Sequence, residues 1–289
     1  MKTKFPTAVA LAGFVFSLHA APLTESTFTE VVKDVNVVAS TDKSTAPAKV
    51  TELFKSPDLV RTGADSRVEM TAPDQTITRV GANTVFSFEP ASRNLRLEQG
   101  SVLFHASKGL GGGTIKSGGA VAAVLGTTLI VSATTGGGFK VILLEGKGRV
   151  TLPNGNSVTL KAGQLVFVLP GGTQFSRVLD INLAKLVAGS QLVVGFTHPL
   201  SSLPLIQKAI DAQNAALASG QTVDTGISAD NFVNPPTRGN GLNIVDPGSY
   251  QNAAHPPLSP GQLLNLVGQA KAFVVFGAPG GRGFTPLGF

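Results

Sequence analysis

The chain has 289 residues, of which 42% are hydrophobic and only 14% charged, with 34 glycines, 18 prolines, no cysteine and a formal net charge of +6. The missing cysteine excludes disulfides, thiolate nucleophiles, iron–sulfur clusters and zinc–thiolate sites. A chain this long buries a substantial core, and its balance of glycine and proline against charge suits short strands and turns better than long exposed helices.

Lys2 and Lys4 precede an apolar stretch at residues 8–18, and Leu18-His19-Ala20 before Ala21 offers the small residues of a cleavage site. Residues 1–20 therefore read as a signal peptide cleaved after Ala20, since the apolar run falls short of the ~18 residues of a membrane anchor. Cleavage removes two lysines and no acid, so the net charge falls from +6 to +4. The expected product is periplasmic or secreted, without a transmembrane span.

Residues 28–38 are rich in β-branched side chains and roughly alternate polar with apolar, which predicts an entering strand; residues 40–49 are polar and predict a loop. Leu59 and Val60 resume a strand that stops in the turn-rich interval 62–66. Residues 67–71 and 76–80 alternate on either side of Pro73-Asp74-Gln75 and predict a hairpin. Residues 85–88 and 95–97 flank a turn with Pro90 and Asn94, and residues 101–104 follow Gly100. Apolar runs at 120–131, 139–144 and 157–169 complete the series.

The phrase Leu97-Glu98-Gln99-Gly100 recurs loosely as Leu144-Glu145-Gly146 and Leu160-Lys161-Ala162-Gly163-Gln164. Each time an apolar strand ends on a polar residue and turns on glycine, which hints at stacked β-coils. Residues 28–179 are thus expected to form an all-β, β-helix-like or β-solenoid module of short strands. Gly63, Gly100, Gly126, Gly146 and Gly163 are its shaping turns.

Residues 180–221 change regime and predict one or two α-helices packed on the β module. Ile181, Leu183, Leu186 and Val187 sit at near-helical spacing before Gly189. A stronger helix follows, with Ser202 placed to cap it, Pro204 in its first turn, and a stripe of Leu205, Ile206, Ala209, Ile210, Gln213, Ala216 and Leu217 ahead of Gly220. The stripe is expected to cover one face of the β core. Residues 222–289 form a Pro/Gly-rich, mostly irregular tail with one apolar patch at 263–276.

Chemistry-bearing patterns are sparse. No G-x-S-x-G occurs, and His105 has only Ser101 and Ser107 near it in sequence. The acids Glu69, Glu89, Glu98 and Glu145 stand at strand ends, where carboxylates are usually solvated or bonded to turns, so a glycosidase pair is not favoured. The glycine clusters at 109–113 and 136–138 lack phosphate-loop spacing, and the four histidines lack metal-ligand spacing. With no tryptophan and a single tyrosine, Tyr250, stacking platforms for nucleic acid or sugar are missing. No catalytic, cofactor or metal residue is assigned, and the chain is read as non-enzymatic.

Charge is distributed unevenly. Between Gln99 and Leu179 the sole carboxylate is Glu145. The basic residues there either keep a β surface soluble and its edges unpaired, or, through Lys108, Lys116, Lys140, Lys147, Arg149 and Lys161, form a face for an anionic polymer.

Three segments in order resemble the FecR domain of bacterial cell-envelope proteins. They are residues 58–69, around Arg61-Thr62-Gly63-Ala64; residues 95–102, around Leu97-Glu98-Gln99-Gly100; and residues 120–127, joined to 141–146 and 160–164. The resemblance covers roughly residues 50–170. It implies an all-β module that works by protein contact in the periplasm, without catalysis. In the founding regulators the domain relays a signal from an outer-membrane receptor to a cytoplasmic sigma factor. This chain shows neither a cytoplasmic anti-sigma segment nor an internal transmembrane helix, so the relay is not carried over. Many such modules place a basic residue just before the Gly–Thr pair, where this chain has Leu125.

The expectation is an exported module that binds an envelope or extracellular protein partner. The alternative is a structural envelope or matrix component held to anionic polymers by its basic face and its tail.

Overall fold

The computed structural model describes residues 21–133, 138–168 and 172–220. The expected signal peptide at 1–20, the glycines at 136 and 137, and the tail at 222–289 with its apolar patch lie outside the described residues.

Short apolar runs broken by turns build two sheets, and successive hairpins enter them alternately. β1 (Glu25–Val32) joins the first sheet, and β2 (Val35–Val38) with β3 (Thr45–Pro47) joins the second. β4 (Leu53–Lys55) returns to the first and β5 (Leu59–Thr62) to the second. The hairpin of β6 (Arg67–Thr71) and β7 (Ile77–Val80) lies in the first sheet, and β8 (Val85–Phe88) in the second. β9 (Asn94–Ala106) begins in the second sheet beside β8 and ends in the first beside β7. β10 (Gly113–Ser117) and β11 (Ala120–Val124) then enter the second sheet, β12 (Thr127–Ala133) and β13 (Phe139–Glu145) the first. β14 (Lys147–Thr151) and β15 (Ser157–Lys161) close the second sheet, β16 (Gln164–Val168) and β17 (Leu179–Asp180) the first.

The all-β expectation holds, but the strand pairing does not display a solenoid. Apart from β9 with β10, which run parallel, the paired strands are antiparallel. Gly63, Gly126, Gly146 and Gly163 stand where the chain crosses from one sheet to the other, between strands that do not pair with each other. Gly100 does not end a strand, contrary to expectation. It sits inside β9 at φ +89°, a backbone that L side chains rarely adopt, at the point where β9 passes from one sheet to the other.

The core lies between the sheets. Phe28, Met70, Phe104, Val131 and Leu143 from the first meet Phe86, Leu95, Ile115, Val150 and Leu160 from the second. Phe28, Phe54, Phe88 and Phe86 form a chain of ring contacts with centroids 5.1–5.9 Å apart. Each such ring, fully buried, contributes roughly 1.5–3 kcal/mol by removal from water.

A second apolar layer covers the outer face of the first sheet. α1 (Leu183–Gly189), α2 (Gln191–Val194) and α3 (Leu203–Ala218) place Leu186, Leu192, Ile206 and Ile210 against Leu103, Ile130, Ile142 and Phe167. Covered on both faces, β12 and β13 are buried at every position, whereas β14 in the second sheet alternates exposed and buried. The two sheets are hereafter the covered sheet and the open sheet.

Asn182 caps α1 by accepting from the Lys185 N–H at 3.0 Å. Ser202 precedes α3 as expected but does not cap it through its side chain: its backbone is already α-helical, at φ −82° and ψ −2°, and its hydroxyl makes no capping bond. The buried stripe of α3 is also narrower than expected, with Ile206 and Ile210 buried and Leu205 52% exposed. Among the described residues no helix is long and apolar enough to cross a membrane.

Candidate functional site

The outer face of the covered sheet is closed. Arg79, on β7, is fully buried; its guanidinium donates to Glu69 Oε2 at 2.7 Å and to the carbonyls of Leu192, Val193 and His198 at 3.1, 2.9 and 2.6 Å. It also lies 4.4 Å from the centroid of the Phe196 ring. Thr29 donates to the second oxygen of Glu69 at 2.8 Å, so that carboxylate is fully engaged. Arg67 Nε donates to the Gly195 carbonyl and the Thr197 N–H donates to Glu30 at 2.8 Å. Residues 192–198 are thereby stapled to the sheet, and this face is not available to a partner.

A second buried polar chain runs from His105 through Thr128 to Glu145. Thr128 Oγ1 donates to Glu145 Oε1 at 2.8 Å and lies 2.9 Å from His105 Nδ1. Thr128 Oγ1 thus bridges the two side chains, and which of Thr128 and His105 Nδ1 donates to the other follows the imidazole tautomer. Burial lowers the His105 pKa, with a backbone contact at Thr127 opposing it, and burial raises that of Glu145, with the Thr128 bonds opposing it. A threonine that donates to a carboxylate is not activated as a nucleophile by the imidazole, and the chain is sealed from solvent. Sequence proximity offers His105 only serines; strand pairing across β9, β12 and β13 supplies its partners.

The open sheet presents its outer face to solvent, and the basic residues singled out from the sequence divide here. Lys140 is a correction: it lies on β13, covered on both sides, and its side chain is fully buried, so it does not reach a polymer. Lys116 is half-buried and its Nζ lies 2.7 Å from Glu89 Oε2, a bond that with Asn94 holds the Glu89 carboxyl below its ordinary value. Lys108, Lys147, Arg149 and Lys161 are exposed. Lys147 and Lys161 stand directly opposite each other across β14 and β15, and Arg149 lies two residues along β14, opposite Thr159. Among the described residues none of Lys147, Arg149 and Lys161 is in an ion pair. Like charges placed directly opposite on a sheet repel.

Lys147 and Arg149, with Leu125, line a groove of about 450 Å³ that also takes in the small residues Thr114, Ala123 and Gly148. Leu125 is 78% exposed. Gly126 sets this rim: it adopts φ +68°, and a Cβ there would lie 2.6 Å from Lys108 Cα, so the turn closes only with glycine. Arg93 braces the far end. It donates to the Gly112 carbonyl at 2.7 Å and to Asp74 at 2.7 Å, with Thr76 Oγ1 at 3.0 Å. Burial alone would raise the Asp74 pKa; the bonds from Thr76 and Arg93 outweigh it and hold the carboxyl below its ordinary value.

The other glycines singled out from sequence lie at strand junctions. Gly63 follows β5 and donates its N–H to the Asp34 carbonyl; Gly146 separates β13 from β14, and Gly163 separates β15 from β16. Among the described residues no group of three or more His, Cys, Asp or Glu is placed to hold a metal ion. The Glu98 carboxylate is half-exposed, 3.9 Å from Arg96 Nε.

Residues 58–151 match the family model described as FecR protein. Over these residues the chain is similar to a FecR domain. The matched region runs from the start of β5 through the end of β14. It includes Leu125, Lys147 and Arg149, while Thr159, Lys161 and the helices lie past its end. Two crystal structures of a candidate anti-sigma factor from Parabacteroides distasonis are similar at 19% identity, with TM-scores of 0.39 and 0.40. The similarity covers 45% and 47% of this chain and 63% and 64% of those chains, so this chain spans less than two thirds of their length. No curated protein matches the chain.

Proposed function

We propose that this chain is an exported, non-enzymatic protein-interaction module of the bacterial cell envelope, in which the FecR domain provides a rigid two-sheet body and the open sheet receives a protein partner. The observation that carries the reading is the asymmetry of the two outer faces. One is buried under helices fastened by Arg79, and the other leaves Leu125, Lys147 and Arg149 uncovered around a groove. A role in sensing or scaffolding fits the FecR match. Export is supported by the basic and apolar pattern of residues 1–20, and intact mass of the secreted product is expected to start at Ala21.

The deciding experiment is in-cell crosslinking of the native protein, with identification of what is captured and washing at rising salt. One protein held through moderate ionic strength is the expected result. A second reading, attachment to an anionic polymer, rests on the unpaired Lys147–Lys161 juxtaposition, and loss of all attachment between low and moderate salt would favour it.

A further inference from the structure

We infer that the groove of the open sheet is a docking site for an acidic, extended protein segment that carries an apolar side chain beside its carboxylates. This rests on the protein-interaction reading and names the chemistry of the partner.

Size comes first. A groove of about 450 Å³ is in the range of sites that take a few side chains, and too small to seat a folded surface. The occupant is therefore a segment. Charge gives its sign, since Lys147 and Arg149 line the groove, Lys161 stands across from Lys147, and no carboxylate is among the lining residues. Two carboxylates placed two residues apart in an extended chain are separated by about 7 Å, and Lys147 and Arg149 share that spacing along β14. An anion placed here also relieves the cross-strand repulsion, so its binding is coupled to sheet stability.

Leu125 separates a peptide from a polymer. An apolar side chain exposed to 78% at the rim of a basic groove gives nothing to a sulfated or phosphorylated chain, but it fits a Leu, Ile or Phe next to an acid. Aromatic platforms for a sugar are missing from the lining.

The test uses the full secreted chain, immobilised and panned with a random peptide library displayed on phage, followed by fluorescence anisotropy of the enriched peptides. Enrichment of sequences with at least two acids and a neighbouring apolar residue is expected. Their affinity should fall by roughly two- to thirtyfold in Lys147→Gln/Arg149→Gln, in line with the loss of two exposed charge contacts. It should fall several-fold in Leu125→Ser and stay unchanged in Lys33→Gln/Lys49→Gln, which alters exposed lysines elsewhere. Circular dichroism and melting verify that the double variant is folded, and the single Lys147→Gln and Leu125→Ser variants provide the same comparison if it is not.

The proposal is overturned if no acidic sequence is enriched, or if the double variant binds as tightly as the parent. Retention on dextran sulfate that depends on Lys147 and Arg149, with nothing enriched from the library, overturns it in favour of a polymer. Concentration-dependent self-association lost in the double variant overturns it in favour of a second copy of this chain. Capture of one protein in cells that is indifferent to Lys147→Gln/Arg149→Gln rejects the groove and leaves the interaction module standing, whereas no protein captured rejects both.

Discussion

Arg79 and Glu69 form a buried ion pair at 2.7 Å that also fastens the helical layer, because the same guanidinium donates to three carbonyls between Leu192 and His198. Desolvating two charges is costly, and the pair is compensated by the Thr29 hydroxyl, the three carbonyls and the Phe196 ring. Removing one partner leaves the other charge buried and uncompensated. Arg79→Ala is expected to destabilise the protein by about 3–5 kcal/mol in urea denaturation. Hydrogen exchange should locate the largest loss of protection at residues 192–198; a uniform loss across the β core would sink the fastening role.

The Gly126 turn makes a second test. Its φ of +68° costs an L residue about 1–2 kcal/mol, and a Cβ would collide with the Lys108 backbone at 2.6 Å. Gly126→Ala is expected to cost more than the backbone penalty alone, on the order of 2–3 kcal/mol, and to weaken binding in the groove by displacing Leu125. A variant as stable as the parent by thermal melting would show that the turn relaxes.

Lys147 and Lys161 face each other across β14 and β15. Replacing one by an acid converts a repulsive cross-strand pair into an attractive one. Lys161→Glu is expected to raise stability by about 0.2–1 kcal/mol at low salt. The gain should shrink as ionic strength rises and the exposed pair is screened, so melting curves in a salt series check it directly.

What the sequence made legible follows from where local pattern decides structure. The strands at 67–71 and 85–88 have the bounds their sequence predicts, because a short alternating or apolar run meets clear turn residues there. The strand expected over 28–38 is broken at Lys33, φ +61°, and the two halves enter different sheets. A long-range bond from the Asp34 N–H to Ser66 Oγ supports that break, and no local pattern encodes it. β10 and β14 carry glycine, lysine and threonine and show no strand pattern of their own; their strand character comes from pairing with β11. The lysines are legible as a surplus, but exposure depends on which sheet the helices cover: Lys140 lies on β13 of the covered sheet and Lys147 on β14 of the open one. Arg79 gave no signal, since its carbonyl partners lie more than a hundred residues away.

The buried His105–Thr128–Glu145 chain predicts how stability depends on pH. For Glu145, burial raises the folded pKa above the ordinary value of 4.5. Between those two values the folded state holds a proton that the unfolded state has released, so stability falls as pH rises through that window and is level above it. His105 acts in the opposite sense. Its folded pKa lies below 6.5, the unfolded state takes up the proton first, and stability falls as pH drops below 6.5 toward the lowered value. Glu145→Gln keeps an acceptor for Thr128 and removes the first effect alone. Relative to the parent, it is expected to match at pH below the ordinary carboxylate value, gain stability as pH rises above 4.5, and hold that gain at neutral pH. Urea midpoints for the two proteins across this range measure the difference, and a constant offset at every pH would mean that Glu145 does not titrate differently in the fold.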